Sequence, residues 1–407
     1  MQRLTTALGL PQHRFASIHV VGTNGKSSVT RMTAALLEAH GLRAGACVSP
    51  HATRWTERTL IGGEEVSAEA WAEAVAMVAQ AAEGVDRSLD EGDAVTEFEA
   101  ATAATFLALA RARVEVAAIE AGLGGRLDAT NTIPSRVTVL TSIGLDHTEW
   151  LGETEAEIAA EKLAVLRDQT TLVLGQVSPE VERLAEATAR ERGAELVRAP
   201  ADPGPELQLR AAGAFQRRNF ALARTAAEAF LGELDPARVA EVAATVAVPG
   251  RLELLAEDPP TYVDAAHNPD GAAALAEALP AVVGDRPVIA VLAVLADKDA
   301  AAMTRALASA VSQVICTELP PSALEGHGRP GARSHPAADL AIACREADLP
   351  AEPEPNFEAA LQRARALASS KGAVLVAGSH YAIAPAREAL GGSGPPPTEA
   401  PGLRLEP

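Results

Sequence analysis

The stretch that most constrains the fold is residues 20–28, VVGTNGKSS. An apolar run over 18–21 reads as a buried strand, and the chain then turns through Gly22 and Gly25. Lys26, Ser27 and Ser28 open an amphipathic helix predicted to run to about His40. Strand, glycine turn, lysine, hydroxyl and helix are the parts of a triphosphate-binding loop. Glycines let backbone amides approach phosphate oxygens, and the helix N-terminus adds a partial positive charge. In such a loop Gly22, Thr23, Asn24 and Gly25 form the cradle, Lys26 meets the β/γ-phosphates and a serine hydroxyl faces Mg2+. The common pattern G-x-x-x-x-G-K-[ST] has a glycine where Val20 stands; here the glycine falls at Gly22. A Gly-Lys-Ser at a strand–helix junction also serves as an ordinary turn, so the loop alone points to ATP or GTP without naming a reaction.

The 407 residues suffice for more than one domain with its own core, and the alternation of strands and helices predicts an α/β fold. Strands are expected over 44–48, 114–119, 137–143 and 172–174, with helices over 67–83, 96–111, 179–192, 216–231 and 236–246. Gly62 and Gly63 predict a hairpin turn, and the proline-rich residues 198–213 allow a short strand pair. A second series of strands (262–263, 288–292, 313–316, 373–377) and helices (270–279, 300–311, 337–346, 357–369) follows. The expected organisation is a P-loop-type, mostly parallel sheet domain over 1–247, a linker over 248–256, a smaller Rossmann-like α/β domain over 257–390, and a disordered Gly/Pro-rich tail over 391–407.

Charge and composition narrow the partners. A net charge of −19 argues against nucleic acid, whose phosphates demand a basic footprint. No apolar run is long enough to span a bilayer and the N-terminus lacks a signal-peptide pattern, so no membrane partner is expected. The three cysteines, Cys47, Cys316 and Cys344, are far apart in the chain and suggest buried apolar side chains in a reducing cytoplasm. Only four lysines remain, Lys26, Lys162, Lys298 and Lys371, against 31 arginines. Arginine can replace lysine wherever only a charge is wanted, so a retained lysine suggests a compact ammonium or an amine that must lose its proton.

Polar clusters stand where predicted parallel strands end, the edge at which ligands collect: the phosphate loop, Ser49-Pro50-His51, Glu120, and Asp146-His147. A hydroxyl, a carboxylate and an imidazole around Lys26 suit a divalent metal bridging ATP to an acceptor. Imidazole is an uncommon Mg2+ ligand, and His51 and His147 read equally well as hydrogen-bonded loop histidines.

The motifs GTNGKSS, SPHATRWTER, TEFE, IEAGLGGRLDATN, SIGLDHTEWLG and IAAEKLAVLR, followed by PGRLE, DAAHNPDGAAAL and LADKD, resemble in order and spacing the folylpolyglutamate synthase/dihydrofolate synthase family of Mur-type ligases. The resemblance implies ATP-dependent addition of L-glutamate to dihydropteroate, to the γ-carboxylate of a folate, or to both, through an acyl phosphate. It further implies that Lys26 and its loop hold the ATP phosphates and that Ser49, Glu120 and His147 bind Mg2+, with Ser28 or Ser27 assisting. Lys162 matches a lysine that is carbamylated in the family; the competing reading is a surface Glu161–Lys162 pair. Asn219, Arg251, Asp264, His267 and Asn268 match ATP-facing positions, and His51, Phe98, Asp128 and Lys298 are candidates on the substrate side. The family also implies a monomer. Ser27, Phe215 and His380 depart from its usual residues. Alternatives are another Mur-type amino-acid ligase, disfavoured because only 21 residues precede Gly22, and a non-catalytic nucleotide-binding regulator.

Overall fold

The structure, a computed structural model, describes residues 1–90, 92–324 and 331–391. It divides into two compact units, one comprising Met1–Arg210 with Arg217–Val246, the other comprising Ala211–Gln216 and the described residues of 247–391.

The first unit carries β1 (Ala16–Val21), β2 (Ala44–Cys47), β3 (Thr59–Ile61), β4 (Glu64–Glu65), β5 (Val116–Glu120), β6 (Val137–Leu140), β7 (Thr171–Leu174) and β8 (Glu195–Arg198). They form one eight-stranded sheet in the order β4-β3-β2-β5-β1-β6-β7-β8. Strands β2 and β5 to β8 run parallel with β1, and only the β2–β3 and β3–β4 pairings are antiparallel. Strand β1 is central because Ile18, Val20 and Val21 are fully buried, as expected of a strand covered on both faces. The chain moves from β1 to one side, returns through β5 and continues through β6 to the other. This reversal opens a crevice at the carboxyl ends of β5, β1 and β6.

Three helices place the site. Lys26–Ala39 starts at Gly25, whose φ of +84° is left-handed, and buries Val29, Met32, Leu36 and Leu37 at helical spacing. Glu97–Arg111 is opened by a Thr96/Glu99 capping box, and Glu155–Leu163 by a Thr154/Glu157 capping box. The latter buries Ile158, Ala159 and Leu163 together with Lys162.

The second unit carries β9 (Glu253–Glu257), β10 (Pro260–Val263), β11 (Val288–Leu292), β12 (Gln313–Cys316), β13 (Ala351–Pro353) and β14 (Ala373–Ala377), in the order β13-β12-β11-β14-β10-β9. All pairings are parallel except β9 with β10. Leu275, Leu279, Leu292, Met303 and Leu375 are among the side chains of its core.

Several expectations are corrected. Residues 198–213 hold no strand pair; a single strand, β8, joins the sheet and 199–213 is irregular. Part of the expected linker is strand β9, which pairs antiparallel at the sheet edge. The helix expected over 300–311 stops at Leu307. Cys316 and Cys344, remote in the chain, lie with their sulfurs 3.7 Å apart, and with Cys47 they are buried free thiols. Beyond Gly391 the tail lies outside the described residues.

Candidate active site

The turn after β1 is stitched to the end of β6. Thr23 N–H donates to Ser142 O (2.8 Å), Asn24 N–H to Ser142 Oγ (3.1 Å), and Thr141 Oγ1 to Asn24 O (2.6 Å). Thr23 Oγ1 both donates to Gly144 O (3.2 Å) and accepts from Gly144 N–H (3.1 Å), which one hydroxyl can do. Gly22 has φ +148°, and a Cβ there would lie 1.9 Å from Thr141 Oγ1, so only glycine lets β1 and β6 close on each other. At Gly25 a Cβ would lie 2.5 Å from Asn219 Oδ1, which places Asn219 against the loop. Lys26 Nζ folds back onto Thr23 O at 3.0 Å. Ser28 is buried in the helix, whereas Ser27 Oγ reaches Glu120.

Glu120, the last residue of β5, joins two other chain segments. Its Oε1 accepts from Ser27 Oγ (2.8 Å) and its Oε2 from Ser49 N–H (3.0 Å). The carboxylate is buried, with 2% exposure. His147 has a left-handed backbone (φ 52°), donates its N–H to Asp146 Oδ1 at 2.9 Å, and presents Nε2 3.8 Å from the same oxygen. Among the described residues no three His, Cys, Asp or Glu side chains are placed to hold a metal.

Lys162 is 4% exposed, which removes the surface-pair reading of Glu161–Lys162. Burial and then the nearby Lys26 charge hold its amine down to about 7, against the pull of Asp146, Asp128 and Glu161. Glu161 instead turns outward and accepts from Arg126 N–H (3.0 Å) and Nε (3.2 Å). Between Glu120 and Lys162 runs the glycine loop 121–128. A Cβ at Gly125 would meet Glu161 O at 2.6 Å and Lys162 O at 2.8 Å, so the loop lies directly on the helix that carries Lys162. A Cβ at Gly122 would meet Phe98 Cζ at 2.3 Å, which puts Phe98 against the same loop. Asp128 Oδ2 accepts from Gly122 N–H (3.0 Å) and Leu123 N–H (2.9 Å). His51 is buried, accepts on Nδ1 from Arg58 Nε (2.8 Å) and packs against Trp55 with ring centroids 4.5 Å apart and planes tilted by 44°.

In the second unit Asp264, His267 and Asn268 follow β10, Lys298 follows β11 and His380 follows β14, whereas Arg251 precedes β9. Asp264 is buried and accepts from Leu252 N–H (2.9 Å) and Ala266 N–H (2.8 Å). Burial raises its pKa, opposed first by the charge of Arg251. Arg251 Nη1 donates to Gly250 O at 2.9 Å. His267 Nδ1 meets Ala265 O at 2.9 Å. Asn268 caps helix Pro269–Val283 through Gly271 N–H at 2.8 Å. Lys298 is 9% exposed, with Nζ 3.8 Å from Asp297 Oδ2. Phe215 packs beside Gly213 and His380 beside Tyr381.

In the first unit Glu120 thus joins Ser27 and Ser49, and in the second the charges of Arg251 and His267 lie near Asp264. Thr141, Ser142, Trp55 and Arg58 take part without being expected from the sequence. Thr141-Ser142 directly follows an apolar run, which is the one signal that could have found that pair.

Residues 20–198 match the family model "Mur ligase middle domain" and residues 250–380 the model "Mur ligase, glutamate ligase domain". The dihydrofolate synthase/folylpolyglutamate synthase of Mycobacterium tuberculosis is 37% identical over 352 residues, covering 77% of this chain and 72% of the relative. The folylpolyglutamate synthase of Lacticaseibacillus casei is 34% identical, covering 78% of this chain and 80% of the relative. A crystal structure of the M. tuberculosis folylpolyglutamate synthase complexed with ADP and AMPPCP superposes with a TM-score of 0.88 at 32% identity, covering 97% of this chain and 95% of that one. Escherichia coli FolC in complex with DHPP and ADP gives a TM-score of 0.83 at 30% identity, covering 96% and 92%. The bifunctional folylpolyglutamate synthase/dihydrofolate synthase with Mn, AMPPNP and L-glutamate bound gives 0.80 at 29% identity, covering 96% and 94%.

Proposed function

The chain belongs to the folylpolyglutamate synthase/dihydrofolate synthase family of Mur ligases and is an ATP-dependent folate–glutamate ligase, and we propose that its reaction runs through an acyl phosphate built around Glu120, Lys26 and Lys162. The observation that carries this is one buried carboxylate at the end of β5 that joins the first turn of helix Lys26–Ala39 to the segment after β2: Ser27 Oγ at 2.8 Å and Ser49 N–H at 3.0 Å on Glu120. A carboxylate held there beside a phosphate loop marks where nucleotide and acceptor meet.

In the proposed sequence a carboxylate oxygen of the acceptor attacks the γ-phosphorus of ATP and ADP leaves. The amine of L-glutamate then attacks the acyl carbon, phosphate leaves, and the amine proton passes to solvent. Lys26 and the amides at the start of helix Lys26–Ala39 offset charge on the transferring phosphoryl group. The acceptor class is a pterin carboxylate: dihydropteroate, the γ-carboxylate of a reduced folate, or both. The donor set fits Mg2+, which is commonly held by one or two carboxylates plus substrate phosphates rather than by an all-protein cage. Glu120, Ser49 and His147 would hold it, and the bound ion would supply charge neutralisation on the phosphates. Lys162 is proposed to carry a carbamate. A buried amine beside Lys26, held down to about 7, is about half neutral at pH 7, the form that reacts with CO2, and arginine could not take its place.

Asp264, His267, Asn268 and Lys298 from the domain spanning 257–390, and Arg251 from the linker 248–256, are proposed to serve the nucleotide and glutamate, with 1–247 as the nucleotide-binding domain; the separate matches of the two family models support that division. Among the described residues no helix is long and apolar enough to cross a membrane. Free buried thiols fit a reducing cytoplasm, and the protein is proposed to act there as a monomer.

The test is to incubate the protein with ATP, Mg2+ and glutamate plus either dihydropteroate or tetrahydrofolate, and to identify products by mass. ADP release that needs both an acceptor and glutamate, with one glutamate added per ADP, is expected. ADP release independent of both would refute the reading.

A further inference from the structure

Beneath the glycine loop lies a buried hydrogen-bond chain that none of the proposed roles uses. His19, on the central strand β1, is fully buried. Its Nε2 lies 2.8 Å from Thr130 Oγ1, across 111 residues of chain. Thr130 Oγ1 in turn makes a 2.5 Å contact to Asp128 Oδ1, the oxygen that also receives Thr130 N–H at 2.9 Å. The other oxygen of Asp128 takes the amides of Gly122 and Leu123.

The chemistry of these groups fixes every proton. A hydroxyl has one hydrogen, and Thr130 gives it to the carboxylate, whose four donors favour the ionised form against burial, which pushes its pKa up. Thr130 Oγ1 must then accept from His19, so the imidazole carries its proton on Nε2. The other ring nitrogen, Nδ1, is buried with no hydrogen-bond partner among the described residues. Leaving a ring nitrogen unpaired in the core costs stability that an apolar side chain at this position would avoid. The position is therefore explained by what Nε2–H does. Full burial beside the Arg167 guanidinium keeps the ring neutral, with its pKa lowered to about 3, so the relay holds a single protonation state at neutral pH.

The anchored loop has two mechanical ends. It leaves Glu120 two residues before Gly122, and at Gly125 it rests on the backbone of Lys162. Arg167 braces the far side, donating from Nη2 to Asn131 O (2.6 Å) and to Asn131 Oδ1 (2.8 Å) and from Nε to Ile133 O (3.2 Å). The phosphate loop, by contrast, is held by Thr141 and Ser142. The brace and the nucleotide cradle are thus separate hydrogen-bond systems.

We propose that His19 and Thr130 are positioning residues of the ligase: through Asp128 they hold the loop 121–128 and so fix the spacing between the Glu120 carboxylate and Lys162. The proposal rests on the ligase reading above. Breaking the relay lets that spacing drift, which slows turnover while leaving ATP binding intact.

The test compares Thr130→Val, which keeps the shape but neither accepts nor donates, with Thr130→Ser, which restores both functions. His19→Leu against His19→Gln makes the same comparison from the donor side. The readouts are kcat, the KM for ATP, the KM for the acceptor, and nitrogen-15 NMR of the His19 ring. Thr130→Val is expected to lower kcat about tenfold, with the KM for ATP within about twofold of the wild type and Thr130→Ser recovering most of the loss. His19→Leu combined with Thr130→Val should add little to either alone, since both break one chain. The wild-type ring should show a neutral, Nε2-protonated signal. A relay with only a structural role would lower the melting temperature and leave kcat per folded molecule unchanged, which overturns the proposal. So would equal impairment of the serine and valine variants, or a rise in the KM for ATP matching the fall in kcat. If the wild type itself shows no acceptor-dependent ADP release, the ligase reading fails instead. The NMR signal then separates the two, because an Nδ1-protonated ring would refute the relay whatever the reaction.

Discussion

Replacing Lys162 by arginine probes the proposed carbamate at its most exposed point. Arginine keeps the positive charge and most of the length but cannot present a neutral amine to CO2. The native amine is held down from 10.5 to about 7, chiefly by burial and next by Lys26. At pH 7 about half of it is neutral, against about one part in 3,000 for an ordinary lysine. The same shift means that the site as a whole, burial first and then the Lys26 charge, disfavours the ammonium by roughly 5 kcal/mol, an environment into which a permanently charged guanidinium fits poorly. The sign of the stability effect follows. Between about 7 and 10.5 the unfolded chain holds a proton on this lysine that the folded chain lacks, so its contribution to stability improves as pH rises through that window and is least favourable below it. Activity should accordingly show an acid limb near pH 7 that shifts to lower pH when bicarbonate is raised, because carbamate formation draws off the neutral amine. Lys162→Arg should lose about 10²–10³-fold in kcat, comparable to removing one preorganised electrostatic contact. The assay is acceptor- and glutamate-dependent ADP release in CO2-depleted and bicarbonate-supplemented buffer, with carbon-13 NMR of protein exposed to labelled bicarbonate. An arginine variant that keeps most of its activity, together with no labelled carbamate on the wild type, would overturn this account of Lys162.

Other perturbations separate the remaining parts. Glu120→Gln removes the charge and offers only one acceptor to the two donors from Ser27 and Ser49, so kcat should fall at least about 10²-fold, measured by steady-state kinetics beside a nucleotide-binding titration. Gly125→Ala would push a methyl against the carbonyls of Glu161 and Lys162, backbone atoms that cannot turn aside. A loss of about 1–3 kcal/mol by denaturant unfolding and a lower kcat are expected. Burial and the Glu120 charge push the Cys47 thiol up to about 12, and all three cysteines are buried. A thiol reagent at neutral pH should therefore leave the native protein unmodified and react with all three only after unfolding.

How much of the fold and site is legible in the sequence depends on how local each cause is. The phosphate loop, the strand ending on Glu120 and the capped helix over Glu97–Arg111 are readable because apolar runs, glycines and the Thr96/Glu99 box act within a few residues of themselves. Lys162 is only half readable: its spacing puts it on the face of Ile158 and Ala159, yet the neighbouring Glu161 offers an equally good surface pair. Strand β9 leaves little mark on the sequence because an antiparallel edge strand has only intermediate and exposed positions, with no buried face to imprint an alternation. Strand β13 is three residues long and ends in proline. The His19–Thr130 bond and the Cys316–Cys344 contact join residues 111 and 28 apart, and nothing in either neighbourhood names its partner.

The stitching of the phosphate loop to Thr141 and Ser142 bears on what evolution could do with such a cradle. A loop already held by the side chains of Thr141 and Ser142 spends little ordering entropy when a triphosphate arrives, so the donor half of the reaction comes ready-made. The acceptor half can then diverge wherever the anchors of the loop over 121–128 are kept, because such substitutions leave the bonds from Thr141 and Ser142 to the cradle untouched. A scaffold divided in this way is open to new acids and new amines on an inherited phosphorylating core.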